Sequence, residues 1–247
     1  PNENEGTVLG RYKRALKRRA LVRPNLLYYV WLYGANGKRA WQARRHSPAF
    51  GGAAAVAAEL YRQRIVQSEA ASLLSAAGLE HYRAAKAQLL EISRSSDVQR
   101  DLEDKKVSEA FKDNKSKDYV VNLIQPKAAH LADSPLVRLA LDPNLLEIAA
   151  GYFGLWPRLD GIYAWLNFPS GAAPQASQLW HRDPQDLKLL KVFLYLNDVD
   201  EDTGPFCYIP RSQPFGEFAA ANPPHRDRKR ILDEEMNPVI PPDKQMV

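Results

Sequence analysis

The hydrophobic positions of this chain change their spacing near residue 157. Before that point they suit helices: residues 53–95 are rich in Ala and Leu, which are good helix formers. They predict a mostly helical stretch, with Ser68 as the N-cap of its second segment. Two short helices should follow, because Ser134 and Asp142 each precede a proline, which is favoured at the first position of a helix.

The second of these short helices has the clearest amphipathic pattern. Its apolar side chains recur at i, i+3, i+4 and i+7, namely at Leu145, Ile148, Ala149 and Tyr152. Either Gly151 or Gly154 can end it. Between the two helical regions, residues 93–118 carry charges of both signs and few apolar side chains, so we expect a solvated connection there.

After residue 157 the chain becomes rich in aromatic and β-branched residues, which favour strands. Four strand-like segments are separated by turn-like sequences: residues 161–168, 177–183, 187–198 and 205–210. In the third segment one face should carry Val192, Leu194 and Leu196, and the other Lys191, Phe193 and Tyr195. We expect one face to pack on the helices and the other to point into a sandwich.

Short antiparallel strands behind a helical layer predict an α+β, β-rich fold, namely a double-stranded β-helix, which is a cupin-like jelly roll. Residues 53–247 would form this domain, with a mainly helical N-terminal layer over 53–156 and a partial β-helix over 157–247. Residues 1–52 would form a basic, aromatic arm and a linker. We expect the β-helix to be incomplete at its C-terminus, at Val247.

Composition narrows the class of protein. The chain has 247 residues, of which 45% are hydrophobic and 26% charged, as in ordinary globular proteins. Its one cysteine, Cys207, excludes an internal disulfide and a cysteine-based zinc cluster, which fits a reducing compartment such as the cytoplasm.

The positive charge is concentrated in the arm. Between Arg11 and Ala58 there are 11 Lys or Arg and no Asp or Glu, so residues 1–58 carry a net charge of +9 and the remainder −4. Residues 11–45 alternate basic clusters with aromatic side chains, which suits peripheral association with a membrane surface or a polyanion. No specific nucleic acid is predicted. In the alternative, the aromatic residues complete the core of the domain: Tyr28, Tyr29, Trp31 and Tyr33.

One short motif carries candidate chemistry. In WHRD at 180–183, His181 and Asp183 are two residues apart, so on a strand their side chains point the same way. An imidazole beside a carboxylate supplies two of the three protein ligands in the facial triad of non-haem Fe(II) oxygenases. The simpler alternative is a salt bridge within the motif at the end of a strand.

A longer pattern resembles a known family. The ordered segments SPLVRLALDPNLLEIAAGYFG, WHRD and LKVFLYLNDVDEDTGPFCYIPRSQ are similar to the phytanoyl-CoA dioxygenase-like family of Fe(II)/2-oxoglutarate oxygenases. The similarity covers roughly residues 134–214. Its landmarks after the motif are Leu196, Asn197, Asp198, Asp202, Thr203, Gly204, Pro205, Pro210 and Ser212. Arg211 and Gln213 depart from the family, which usually has Gly and His at these positions.

The resemblance implies a dioxygenase that uses Fe(II), 2-oxoglutarate and O₂ to hydroxylate a small-molecule or acyl substrate. His181 and Asp183 would be its iron ligands and catalytic residues. The carboxylate of Asp183 favours hydroxylation over halogenation, because related halogenases have a small residue there. Lys191 or Asn167 could reach a carboxylate of 2-oxoglutarate if its strand faces the lumen of the barrel.

The third iron ligand is not evident in the sequence. Only His225 follows His181, and it lies in a polar, Pro-rich loop. We therefore expect the family's second histidine and its 2-oxoglutarate-binding arginine beyond Val247, and we expect this chain alone to be inactive. RKRILDEEMNPVIPPDKQMV would be a variable loop before that segment. Two alternatives stay open, a cupin-like binding protein without turnover and a membrane- or polyanion-binding protein that acts through the arm.

Overall fold

The computed structural model describes residues 29–107, 119–124, 133–168, 173–174, 176–181, 188–200, 203–213, 216–221, 230–242 and 245. Within these ranges the fold is mixed, with mostly helices and one two-stranded antiparallel sheet. The helices are α1 (Gly37–Arg45), α2 (Ala53–Gln63), α3 (Ala70–Leu73), α4 (Ala76–Ser93), α5 (Ser96–Val107), α6 (Pro135–Ala140), α7 (Pro143–Phe153) and α8 (Asp233–Met236). The strands are β1 (Val120–Asn122) and β2 (Trp165–Asn167).

The two proline-led helices form as the sequence predicts. The Ser134 side chain accepts a hydrogen bond from the backbone N–H of Leu136 at 3.3 Å and so caps α6. Asp142 caps α7 in the same way, accepting from the backbone N–H groups of Asn144 at 3.0 Å and Leu145 at 3.3 Å. Both helix starts are therefore specified locally, by a capping side chain and a proline.

The helical layer consists of two packed pairs, α2 with α7 and α4 with α6. The first core is formed by Ala53, Leu60 and Ile148, and the second by Leu74, Ala85 and Leu139. Gly154 ends α7 with a φ of +68°, which glycine adopts without steric cost. Gly151 has a different role, because a Cβ there would lie only 3.0 Å from the Cβ of Ala57 on α2.

One prediction for the helical region was wrong. Ser68 caps no helix: α3 begins after Glu69, and Ser75 caps α4 by accepting the N–H of Gly78 at 3.0 Å. The charged stretch is mostly exposed over 96–105, as expected for a solvated connection, and it forms the helix α5. A tertiary contact holds it, because Lys105 Nζ donates to the carbonyl oxygen of Val120 at 2.7 Å. Residues 108–118 lie outside the described residues.

The strand-like region is described in parts. Val121 of β1 lies opposite Leu166 of β2, and exposed residues alternate with less exposed ones over 161–168, as expected for a strand. Residues 188–198 form no ladder with the other described residues, so a paired strand there stays a prediction. Their side chains divide only in part as expected: Leu194 packs on the second core and Lys191, Phe193 and Tyr195 are exposed, but Val192, predicted on the same face as Leu194, is exposed as well.

Candidate functional site

Trp180 fixes the start of the candidate motif. Its backbone N–H and C=O both bond to Ile231, at 3.0 Å in each direction, in an antiparallel bridge. Its indole Nε1 donates to Asp233 Oδ1 at 2.6 Å. The segment that contains Ile231 is thus more ordered than the variable loop we expected, because Met236 and Ile240 behind it are buried.

The residues before the motif are held against the small sheet. Ala176 is buried with Tyr119 and Val120, and the Tyr119 hydroxyl lies 2.5 Å from Ser177 Oγ. Backbone bonds extend the strand pair, since the N–H of Phe168 donates to the Tyr119 carbonyl at 3.2 Å. The sheet therefore positions the chain that leads into the motif.

His181 is exposed and its ring has a defined orientation. Nδ1 lies 2.7 Å from the carbonyl oxygen of Leu179. A carbonyl oxygen only accepts hydrogen bonds, so Nδ1 carries the proton and the neutral ring has its lone pair on Nε2. Metal-binding histidines are oriented by this kind of bond to a carbonyl oxygen. The chemistry of His181 therefore fits a metal ligand that coordinates through Nε2.

Asp183, the other predicted ligand, lies outside the described residues. The same holds for His225, which the sequence did not favour as a ligand. Within the described ranges, no group of three His, Cys, Asp or Glu side chains could hold a metal ion. The described part of the chain thus contains one of the two ligands that the motif predicts.

Asn167 and Lys191 both lie on exposed aromatic patches. Asn167 is on the face of β2 that also carries Tyr163 and Trp165, whose rings are 5.8 Å apart. Lys191 shares its exposed face with Phe193 and Tyr195. Both candidate 2-oxoglutarate residues therefore occupy faces that are not packed on the helical layer.

The aromatic patch around Lys191, which includes Phe193 and Tyr195, continues at Phe206, beyond the loop that contains Asp200 and Thr203. Phe206 lies 4.9 Å from Phe193, between ring centroids, and its backbone N–H donates to the Tyr195 hydroxyl at 3.2 Å. The loop between them turns at Thr203, whose N–H donates to Asp200 Oδ1 at 3.0 Å, and at Gly204, with a φ of +77°. The Thr-Gly pair in the resemblance thus makes a tight turn that brings these two segments together.

A buried glutamate that the sequence did not reveal lies on α7. Glu147 of α7 accepts hydrogen bonds from His46 Nε2 at 2.9 Å and from the backbone N–H groups of Ala49 at 2.9 Å and Phe50 at 2.8 Å. Its side chain is 4% exposed. Burial raises the pKa of Glu147, but these donors outweigh burial and lower it overall. The segment predicted as a free linker is therefore anchored to α7.

Lys188 also has a structural role. Its ammonium lies over the rings of Tyr61 and Tyr152 and is 3.4 Å from the backbone carbonyl of Tyr152, in the last turn of α7. Burial and the nearby Arg64 lower the pKa of Lys188. A cation at the C-terminus of a helix is favoured by the helix dipole. Lys188 therefore fastens the start of residues 188–198 to the helical layer.

Comparisons with protein-family models, with curated proteins and with solved structures gave no match for this chain. The resemblance to the phytanoyl-CoA dioxygenase-like family therefore rests on the order of motifs in roughly residues 134–214. The geometry of His181 and of the two aromatic patches is independent of that resemblance.

Proposed function

We propose that this chain carries the iron-binding motif of an Fe(II)- and 2-oxoglutarate-dependent dioxygenase that hydroxylates a small-molecule or acyl substrate. The observation that carries the proposal is the environment of His181. Its ring is held by the Leu179 carbonyl so that the lone pair is on Nε2, and the first residue of the motif, Trp180, is fixed in a strand-like pairing with Ile231. Residues 134–214 resemble the phytanoyl-CoA dioxygenase-like family in the order of their motifs, and this resemblance connects the geometry of His181 with iron binding.

We further propose that residues 157–247 belong to a double-stranded β-helix behind the helical layer. Three features support this fold. The β1–β2 pair and the Trp180–Ile231 bridge are both antiparallel. Leu194 packs on the helices while Phe193 and Tyr195 face away from them. The exposed aromatic side chains would line the interior of the barrel, where a substrate pocket needs apolar walls and few polar groups.

In this proposal each residue has a specific task. His181 Nε2 and the Asp183 carboxylate would hold the iron. With iron bound, the site would couple the oxidation of 2-oxoglutarate by O₂ to succinate and CO₂ with hydroxylation of the substrate, one oxygen atom entering succinate and the other the substrate. The Lys191 ammonium, or the Asn167 amide, binds a carboxylate of 2-oxoglutarate. The aromatic patches keep water away from the reaction.

The test uses the protein at its natural length. Purified protein is incubated with Fe(II), ascorbate and 2-oxoglutarate, and succinate is measured with and without iron. Binding of Mn(II), as a redox-inert substitute, is measured separately by electron paramagnetic resonance. We expect iron-dependent succinate, weaker Mn(II) binding by His181→Ala, and no hydroxylation by Asp183→Ala.

A matched control is available in the helical layer. His81 of α4 lines a shallow groove beside Asp142, so His81→Ala removes an imidazole away from the motif. It should leave both readouts unchanged. Equal Mn(II) affinity in wild type, His181→Ala and Asp183→Ala would refute the iron site. Mn(II) binding that depends on His181, without succinate formation, would favour the cupin-like binding protein.

A further inference from the structure

Aromatic and basic side chains form an outward-facing strip along the first described helical segment. Residues 29–45 comprise a helical start, a π-helical turn (Trp31–Ala35) and α1. Three aromatic side chains in it are exposed: Trp41 at 54%, Tyr29 at 48% and Tyr33 at 39%. The predicted alternative, in which the arm's aromatics complete the core, is therefore wrong for Tyr29 and Tyr33. Tyr28 and the side chain of Trp31 lie outside what the structure describes.

Arginine side chains cover these rings. The guanidinium of Arg44 lies 5.0 Å from the ring centroid of Tyr33, and that of Arg45 lies 4.2 Å from the ring of Trp41. Lys38 falls on the same side of α1 as Trp41 and Arg45, since the three residues are spaced i, i+3 and i+7. We define the interfacial strip as Tyr29, Tyr33, Lys38, Trp41, Arg44 and Arg45.

The α1 helix is attached to the domain through Ala40 and through its backbone. Ala40 is buried, and the carbonyl oxygen of Arg39 accepts the backbone N–H of Trp156 at 3.1 Å. After the helix, His46 packs edge-on against Trp156, with ring centroids 4.9 Å apart, and bonds to Glu147. The strip is therefore presented outward by a helix whose inner side is fixed, so whatever binds the strip also orients the domain.

We propose that the interfacial strip docks the domain on an anionic phospholipid surface. Tyr and Trp prefer the boundary between headgroups and acyl chains, and nearby Arg and Lys pair with lipid phosphates. No acid lies between Arg11 and Ala58 to oppose this attraction. Guanidinium groups lie over one face of the Tyr33 ring and one face of the Trp41 ring, which leaves fewer ring faces for the base stacking of a nucleic-acid platform. The inference does not depend on the iron chemistry.

Flotation of residues 1–247 with vesicles tests the proposal. Vesicles of phosphatidylcholine alone are compared with vesicles containing phosphatidylserine, at low and high salt. We expect binding to the anionic vesicles, weakened by salt. The double substitution Arg44→Gln and Arg45→Gln should weaken partitioning about 30-fold, since each cation near an anionic surface contributes roughly fivefold.

The matched control removes the same charge elsewhere. Arg83 of α4 and Arg100 of α5 are exposed, so Arg83→Gln with Arg100→Gln should leave binding within about twofold of wild type. Brominated lipids should quench tryptophan fluorescence in wild type and clearly less in Trp41→Phe. An unchanged melting temperature shows that each variant is folded.

Three results would overturn the inference. They are the absence of binding to anionic vesicles, an equal loss of binding in the control variant, and retention on heparin or RNA without retention on vesicles.

Discussion

Replacing Glu147 by alanine should detach residues 46–50 from α7 and destabilise the domain. The buried carboxylate accepts three hydrogen bonds, from His46 Nε2 and from the backbone of Ala49 and Phe50. The His46 side chain is 40% exposed, so water can replace Glu147 as its hydrogen-bond partner. Most of the loss in the free energy of unfolding therefore comes from the two backbone N–H groups. A hydrogen bond to a charged group contributes about 1.5–3 kcal/mol, so we expect a loss of about 3 kcal/mol. The melting temperature should fall by roughly 6–12 °C.

Urea unfolding of three variants measures this loss. Glu147→Gln keeps one accepting oxygen but loses the charge, so it should cost about half as much as Glu147→Ala. Glu80 is exposed on α4, and Glu80→Ala serves as the control with a change of less than about 0.5 kcal/mol. A loss below about 0.5 kcal/mol in Glu147→Ala would refute the anchoring role of Glu147.

The pH dependence gives an independent check on the same carboxylate. The pKa of Glu147 is lowered from its ordinary value of 4.5, so its contribution is complete above that value. It is lost as the pH falls below 4.5 and through the lowered pKa of the folded state. The difference in stability between wild type and Glu147→Gln should therefore shrink as the solution is acidified through this range. A difference that stays constant would contradict the assignment.

Two further predictions concern the same layer. Asp142→Ala should cost about 3 kcal/mol in urea unfolding, because it removes the cap of α7 together with a bond to Ser75. Asp142→Asn should cost less, because it keeps one accepting oxygen; equal losses in the two variants would contradict this and show that the charged carboxylate is required. Deleting residues 1–35 should leave the melting temperature nearly unchanged. Deleting residues 1–50 should lower it clearly, since Phe50 packs on the first core. Equal effects of the two deletions would contradict a boundary of the stable domain between residues 35 and 50.

Local signals made the short helices predictable. Ser134 and Asp142 cap their helices through their own side chains, and Gly154 ends α7, so each boundary depends on a few neighbouring residues. The features that the sequence did not predict depend on distant partners. Helix α5 is held by a contact from Lys105 to Val120, and Glu147 finds its donors 97 to 101 positions away. Hydrophobic periodicity carries no information about such contacts.

For the candidate site, too, the sequence predicted the features that depend on neighbouring residues and missed those that depend on the rest of the fold. The two-residue spacing of His181 and Asp183 and the alternation around Lys191 follow from sequence. The bond that orients His181 could not be predicted, because it depends on the backbone conformation at Leu179. For residues 188–198, periodicity correctly assigned Leu194 to the helices. Ladder pairing depends on a partner strand, which the segment's own sequence does not specify.

Asp142 connects two helix ends. Besides capping α7, its carboxylate accepts from the hydroxyl and the backbone N–H of Ser75, at 2.5 and 3.2 Å, and Ser75 in turn caps α4. A Cβ at Gly78 would collide with this carboxylate, so α4 can approach only because that position is a glycine. Opening either helix pair exposes the Asp142 carboxylate, which also stabilises the other pair. Fraying of α4 and fraying of α7 are therefore one cooperative event rather than two, and the layer should exchange its amide hydrogens as a single unit.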